Sequence, residues 1–265
     1  MSPRSARIQI AFFALLVMLT VAASLSIDLS KFQERGSSPE GQAILRGISN
    51  PGELDNALGQ HPSDNVLQLM AKAIKVAANT QAAIDQLSAQ IEPPRLSKEP
   101  DFGSVSRDEL ESFRRDLGTA AANASAFLPR YAAILKAEHE QIESATVSLH
   151  VPREIADELL HGVTQRQATT LSVISLILSA RVDYYRAYDK YITFLSGELG
   201  SFKIVAGQFV FPDQRAVERY NVASQAMTSA GKRVNELETD LKKQQQPLPE
   251  EWIPLTGVGQ LVTKK

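Results

Sequence analysis

The sequence predicts an all-α protein: an elongated antiparallel bundle of about four long helices, with a short β-hairpin between the last two and a transmembrane helix at the N-terminus. Two observations lead to this prediction. Apolar residues recur every three or four positions through most of the chain, which is the spacing of one helix face. Proline-containing breaks separate these periodic stretches. Residues 200–214 are the exception, because six apolar residues crowd around one glycine there.

The N-terminal segment combines a basic flank with an apolar run. Arg4 and Arg7 precede residues 8–27, which carry no charged side chain, and a helix of about twenty residues spans the hydrocarbon core of a bilayer. We therefore predict a signal anchor over residues 1–27, as a single pass of a bacterial inner membrane with the domain in the periplasm. The alternative is a cleaved signal peptide, because Val21-Ala22-Ala23 offers small residues for cleavage. The length of the apolar run favours the anchor.

The composition argues against several classes of function. The formal net charge is −2 and the basic residues are interspersed with acidic ones, so no basic stripe predicts nucleic-acid binding. The chain has no cysteine, which excludes disulfides, thiolate metal ligands, a cysteine nucleophile and a lipidated cysteine. No phosphate-binding glycine loop and no nucleophile elbow occurs. We expect a protein that is not an enzyme and has no cofactor.

Three regions follow the anchor. Residues 28–63 are rich in Gly, Ser and Pro, which predicts a tether with one or two short helical turns. Residues 64–246 hold the periodic stretches and are predicted to form the bundle. Residues 247–265 are predicted to be an extended tail.

Local signals mark where the predicted helices begin. Ser63 or Asp64 is the expected N-cap of the first long helix. Ser106 and Glu109 have the spacing of a capping box, in which each residue bonds the backbone of the other end of the first turn. The third helix has the most regular apolar stripe, a heptad-like seam typical of coiled-coil packing. The apolar stripes carry almost no acidic residues. The stripe of the fourth helix, for example, consists of Val217, Tyr220, Ser224, Met227, Gly231, Val234 and Leu241.

One pair of residues has the spacing of a metal site. Glu158 and His161 match the Glu-x-x-His motif of carboxylate-bridged di-iron bundles. Such a site needs a second copy of the motif, and no other histidine of this chain has an acid three residues before it. We therefore interpret this pair as part of a solvated helix face and expect no metal.

Arg181 is the one charged residue on the seam of the third helix. It lies beside Tyr184, Tyr185 and Tyr188, so these four residues are the candidate site for a polar ligand. Burying a guanidinium is costly unless it has a partner. In the alternative interpretation, which we favour, the arginine extends its charged end to solvent and the tyrosines are ordinary packing residues.

The stretch around Gly207 predicts the hairpin, over residues 202–211. A type II′ turn with Gly207 in its first central position would pair Ile204 with Phe211 and Ala206 with Phe209. The resulting apolar face must pack on something, because an isolated hairpin is marginal in water. We expect the segment of Ile204, Gly207, Phe209, Phe211 and Pro212 to cap the end of the bundle. The alternative is an exposed docking surface for a partner.

The segment FKIVAGQFVFPDQRAVERYN, residues 202–221, resembles a family of uncharacterised bacterial envelope proteins, mostly small lipoproteins with helical exported domains. The shared features are the VAGQFVFP turn and the RYN of the following helix. The resemblance implies a helical exported fold and no catalytic role. Those proteins carry a lipidated cysteine where this chain has an apolar anchor.

Two hypotheses about function follow from these features. The first is a membrane-anchored envelope protein that is not an enzyme and binds other envelope proteins as a scaffold. The second is a periplasmic ligand-binding or sensory bundle with its site near Arg181 and the neighbouring tyrosines.

Overall fold

A computed structural model of the chain describes residues 51–98 and 100–244. The described chain is mostly helical with one two-stranded antiparallel hairpin, which confirms this part of the prediction. The predicted anchor and the predicted tail lie outside the described residues. The elements in chain order are α1 (Pro51–Gln60), α2 (Asn65–Ser88), a short 3₁₀ helix (Pro94–Ser97), α3 (Arg107–Ser148), α4 (Arg153–Gly197), β1 (Lys203–Val205), β2 (Gln208–Val210) and α5 (Gln214–Gln244).

Side-chain caps start three of the helices. Asp64 Oδ1 accepts hydrogen bonds from the backbone N–H groups of Val66 and Leu67 at 2.9 and 3.0 Å, so Asp64 is the N-cap of α2. The Glu109 N–H donates to Ser106 Oγ, and the Ser106 N–H donates to Glu109 Oε2 at 2.7 Å. This is the predicted capping box of α3. Such caps satisfy backbone donors that the first helical turn leaves without an acceptor, as Asp213 does for α5.

The contacts of the chain divide it into two compact units. The first, here called the hairpin unit, contains residues 87–129 and 173–242. In it α4 runs antiparallel to both α3 and α5. Glu111 and Arg114 of α3 bond Ser196 and Asp189 of α4, respectively. Arg219 and Glu238 of α5 bond Glu198, the residue after α4, and Arg181 of α4, respectively.

The second unit, here called the α1 unit, contains residues 51–86 and 130–172 of the described chain. Its core has two apolar clusters. One joins α1 and α2 to Ile155 of α4 through buried residues that include Leu54, Ala57, Leu67 and Met70. The other joins α2 and α3 to α4 through Leu69, Val76, Ile142, Ala145 and Leu159.

The helix α1 lies within residues 28–63, for which the composition predicts a tether with one or two short helical turns. Residues 51–60 are a ten-residue helix, and Leu54 is only 3% exposed within the first cluster. The segment was assigned to a tether because Gly and Pro are frequent in it, but Leu54, Ala57 and Leu58 share one helix face and pack against α2. Tertiary packing thus overrides the local composition here.

The hairpin forms with a different turn from the predicted one. Ile204 pairs with Phe209 and Val205 with Gln208, so Ala206 and Gly207 are the central residues. Both have positive φ, 51° and 75°, which is the pattern of a type I′ turn. The predicted pairing of Ile204 with Phe211 is therefore wrong. The turn lies one residue earlier than predicted, so Ala206 is a turn residue, and Ile204, which lies opposite Phe209, is 39% exposed.

Aromatic rings attach the hairpin to the rest of its unit. The ring of Phe209 lies 5.6 Å from that of Phe102 and 5.3 Å from that of Tyr220. The ring of Phe211 lies 5.5 Å from that of Phe194 and 5.1 Å from that of Tyr220. The hairpin phenylalanines remain half-buried, so the cluster holds the hairpin without enclosing it. On the opposite face Val205 and Val210 are exposed.

Replacing Gly207 tests the turn geometry. Comparison with a helical glycine distinguishes the free-energy cost of a Cβ at positive φ from the general effect of replacing a glycine. We expect Gly207→Ala to lower the free energy of unfolding by about 1 kcal/mol, because a Cβ is disfavoured at positive φ. The matched control is Gly118→Ala in α3, where nothing lies within 4 Å of an added Cβ. This control should raise stability by about 0.5–1 kcal/mol through helix propensity. Denaturant unfolding measures both, and equal effects of the two substitutions would contradict the turn geometry.

Candidate functional site

The candidate site is built around Arg181 in the hairpin unit. Arg181 is 5% exposed on α4, between the buried residues Leu178 and Tyr185 on the same helix face. The prediction that its charged end reaches solvent is wrong. A buried guanidinium persists only where acceptors replace the water it has lost, and the tertiary structure supplies two carboxylates.

The guanidinium bonds three residues at once. Its Nε and Nη2 atoms both donate to Glu238 Oε1, at 3.1 and 2.5 Å. Its Nη1 atom donates to Glu92 Oε1 at 2.9 Å and to the Tyr185 hydroxyl at 3.3 Å. The Tyr185 hydroxyl in turn donates to Glu92 Oε1. We call Arg181, Glu238, Glu92 and Tyr185 the arginine cluster.

The protonation states in the cluster follow from burial and charge. Burial is the largest influence on Arg181 and acts to lower its pKa, but Tyr185, Glu238 and Glu92 together outweigh it and the pKa is raised. Burial raises the pKa of Tyr185, and the charge of Arg181 only partly opposes this effect. Arg181 is therefore charged and Tyr185 is a protonated donor. The guanidinium cation thus bonds both Glu238 and Glu92, and the phenol donates to Glu92.

The sequence interpretation missed both acids of the cluster. Glu238 is 4% exposed and falls four residues after Val234 and three before Leu241, so it continues the apolar stripe of α5. Glu238 is thus an exception to the prediction that the apolar stripes carry almost no acidic residues. Glu92 directly precedes Pro93-Pro94, the predicted break after the first long helix. Heptad spacing would have found Glu238, whereas no periodicity marks Glu92.

The three tyrosines of the predicted site have different surroundings. Tyr185 belongs to the arginine cluster. Tyr188 is buried and packs edge-on against Phe113 of α3, with 5.4 Å between the ring centroids. Tyr184 is half-buried with its ring 5.8 Å from that of Tyr188. The structure therefore brings Arg181 and Tyr185 together as polar partners, and the rings of Tyr184 and Tyr188 contribute packing.

The arginine cluster connects three parts of the hairpin unit. Arg181 and Tyr185 come from α4, Glu238 from α5, and Glu92 from the segment that follows α2. Each nitrogen of the guanidinium already donates to a residue of the chain itself. These hydrogen bonds hold α5 and residue 92 against α4.

The Glu158 and His161 pair lies on α4 in the α1 unit. Glu158 is half-buried and His161 is exposed. Within residues 51–98 and 100–244, no group of three or more His, Cys, Asp or Glu side chains is placed to hold a metal ion. The same described residues include no helix long and apolar enough to cross a membrane.

A second buried acid lies in the α1 unit. Glu138 on α3 is 4% exposed, and its Oε2 accepts a hydrogen bond from Gln167 Nε2 of α4 at 3.0 Å. Burial raises the pKa of Glu138, and the bond from Gln167 only partly offsets this effect. Glu138 falls between Leu135 and Ile142 on the apolar stripe of α3, so the sequence interpretation missed it for the same reason as Glu238.

No protein-family model, curated protein or solved structure matches this chain. The fold and the candidate site define its class on their own: a helical-bundle protein whose most buried ionic cluster joins elements of its own core.

Removing Arg181 should cost far more than removing a surface arginine. We expect Arg181→Met to lower the free energy of unfolding by about 3–5 kcal/mol, because Glu238 would be left buried without its cation. The matched control is Arg114→Met, whose side chain is 30% exposed in its ion pair with Asp189. That change should cost about 1 kcal/mol or less. Denaturant unfolding compares the two.

A second variant tests the cause of this loss. In Arg181→Met/Glu238→Leu no acid of α5 is stranded, so most of the lost stability should return. A double variant as unstable as Arg181→Met alone would show that packing, and not the stranded charge, sets the cost.

The Glu138 carboxyl should make stability depend on pH. Because its pKa is raised in the folded protein, the folded state binds more protons than the unfolded state between the two pKa values, and the contribution of Glu138 to stability falls as pH rises through this window. We expect Glu138→Gln to be more stable than wild type at pH 7. The difference should disappear below about pH 4, where the unfolded-state carboxyl is also protonated. Unfolding from pH 3 to 8 measures it, with exposed Glu140→Gln as the control. A pH-independent difference would contradict the assignment.

Proposed function

We propose that this chain is a protein of the bacterial cell envelope that is not an enzyme. In this proposal residues 8–27 anchor it in the inner membrane, and its helical domain stands in the periplasm, where it binds other envelope proteins as a scaffold. The anchor rests on Arg4, Arg7 and the uncharged run that follows them. The exported helical domain agrees with the resemblance of residues 202–221 to envelope proteins.

Arg181 donates its hydrogen bonds to residues of the chain itself, and this observation most favours a scaffold over a ligand-binding module. A ligand site would offer this guanidinium to a solute, whereas here its three nitrogens donate to Glu238, Glu92 and Tyr185. A solute would have to replace charge-assisted hydrogen bonds inside a low-dielectric core, and each of these is stronger than a neutral bond. The cluster therefore suits rigidity, which a protein that presents a fixed surface to partners requires.

The surface offers several apolar positions at which a partner can be sought. Val147, Leu176, Val205 and Val222 are each more than half exposed, at 73%, 54%, 57% and 70%. They lie on α3, α4, β1 and α5. Single exposed apolar residues are common on soluble proteins, so none of them identifies an interface alone. The four positions lie on four different helices or strands, so together they test several parts of the surface.

Cysteine substitution at these positions tests both parts of the proposal, because the natural chain has no cysteine. Each variant is labelled in spheroplasts with a membrane-impermeant maleimide. In parallel, each is coupled to a photo-activated benzophenone maleimide. We expect labelling without lysis, because the domain is exported. We also expect a covalent adduct with another envelope protein from at least one of the four apolar positions.

The control is Lys75→Cys, an exposed polar position on α2. It should be labelled equally well and give no such adduct. Labelling only after lysis would contradict export. The absence of protein adducts from all four apolar positions would contradict the scaffold function.

A further inference from the structure

The segment between α2 and α3 is unusually long for a connection between packed helices. Residues 89–106 separate Ser88 from Arg107, and the 3₁₀ helix Pro94–Ser97 is the only regular structure in the described parts of this segment, 89–98 and 100–106. Helix connections in bundles usually take about 2–8 residues, and longer irregular ones in compact domains are often functional. The described residues of this segment are therefore more than a simple reversal of the chain requires.

Contacts within the hairpin unit hold the segment at several points. The Asn123 side-chain amide donates to the carbonyl oxygens of Gln90 and Ile91 at 2.8 and 3.3 Å. Glu92 belongs to the arginine cluster, and Leu96 is 1% exposed. Farther along, Asp101 accepts bonds from the Gly103 N–H and the Ser104 hydroxyl. These bonds hold residues 90–92 and 101–104 in place, although most of the described part of the segment is neither helix nor strand.

The fixed segment encloses one side of a cleft of about 420 Å³ over the start of α3. This volume falls within the range of small-molecule sites, about 300–1,000 Å³. Val105 and Phe113 give the cleft an apolar part, while Arg95, Lys98, Asp101 and Glu109 supply charges. A cleft that combines an apolar wall with charged side chains suits an amphipathic ligand.

The charges of the cleft are not equally available. Asp101 bonds its own turn, as described above, and Glu109 Oε2 accepts bonds from the N–H and hydroxyl of Ser106 at 2.7 and 2.8 Å. The bond from the Ser106 backbone is the main reason that the pKa of Glu109 is lowered.

The cations have fewer bonds. Arg95 donates to the Ser112 hydroxyl and lies 3.7 Å from Asp116, with its side chain 59% exposed. Among the described residues no carboxylate forms an ion pair with the Lys98 ammonium.

We propose that this cleft is a binding site for a small molecule that carries an anionic group, a carboxylate or a phosphate, beside an apolar body. The anionic group would bond Lys98 and Arg95, whose donors are the least engaged charges of the cleft. The apolar body would lie mainly against the half-buried side chain of Val105, because Phe113 is only 2% exposed. The two acids would remain bonded to Ser106, Gly103 and Ser104, so binding breaks none of their hydrogen bonds.

Calorimetric titration of the full chain in a nonionic detergent tests the site. The two test probes are benzoate and phenyl phosphate, which distinguish a carboxylate from a phosphate. The two control probes are inorganic phosphate, which lacks the apolar body, and benzyl alcohol, which lacks the anionic group. We expect at least one of the first two to bind more tightly than both of the others. If neither does, the proposal is overturned.

The variant Lys98→Gln locates the binding. It should weaken the better probe about threefold to fivefold, the effect of one exposed charge pair. Lys75→Gln, which removes an exposed lysine of the α1 unit, should leave the affinity unchanged. Equal affinities in Lys98→Gln and wild type would overturn the proposal, and unchanged thermal unfolding of Lys98→Gln verifies that its fold is intact.

Amide hydrogen exchange provides a second measurement. The bound probe should slow exchange in residues 94–105 and leave α1 unaffected, because the two lie in different units. Binding without protection of residues 94–105 would place the probe elsewhere and overturn the proposal.

Discussion

The hairpin unit depends on the need to satisfy one buried cation. Arg181 is buried on the central helix α4, and a guanidinium in a low-dielectric interior is tolerated only with carboxylate partners of good geometry. Those partners come from α5 and from the segment after α2. One side chain therefore fixes which residue of α5 faces α4 and where residue 92 must lie. Apolar packing alone would not specify this register so strongly, since leucine-like side chains can exchange neighbours with little loss.

The same constraint shapes the surface of the unit. Because Glu92 is held by Arg181 and Tyr185, the residues that follow it begin from a fixed position and carry Arg95 and Lys98 to the cleft. Asn123 holds the two residues that precede Glu92. An irregular segment normally keeps considerable conformational freedom, and these bonds remove much of it. A buried ion pair thus gives an exposed cleft a defined shape, which is the role expected of residues that support a binding site.

The hairpin is held in another way. Its strands are only three residues long, too short to be stable in water by themselves. Edge-on and tilted contacts among Phe102, Phe194, Phe209, Phe211 and Tyr220 supply the missing packing. The type I′ turn at Ala206 and Gly207 sets which residues of the two strands pair. Between them, the ring contacts and the turn leave Val205 and Val210 on the solvent face.

The sequence by itself determined the long helices, the capping box at Ser106, the existence of the hairpin and the position of Arg181 on an apolar helix face, because periodicity and capping are encoded within a few residues. Only the tertiary structure decided that Arg181 is buried, since its partners lie 57 and 89 residues away in the chain. It also decided that residues 51–60 pack as a helix and that Ala206 adopts positive φ. The burial of Arg181 and the packing of residues 51–60 depend on contacts between distant segments, and local propensity contains no information about such contacts.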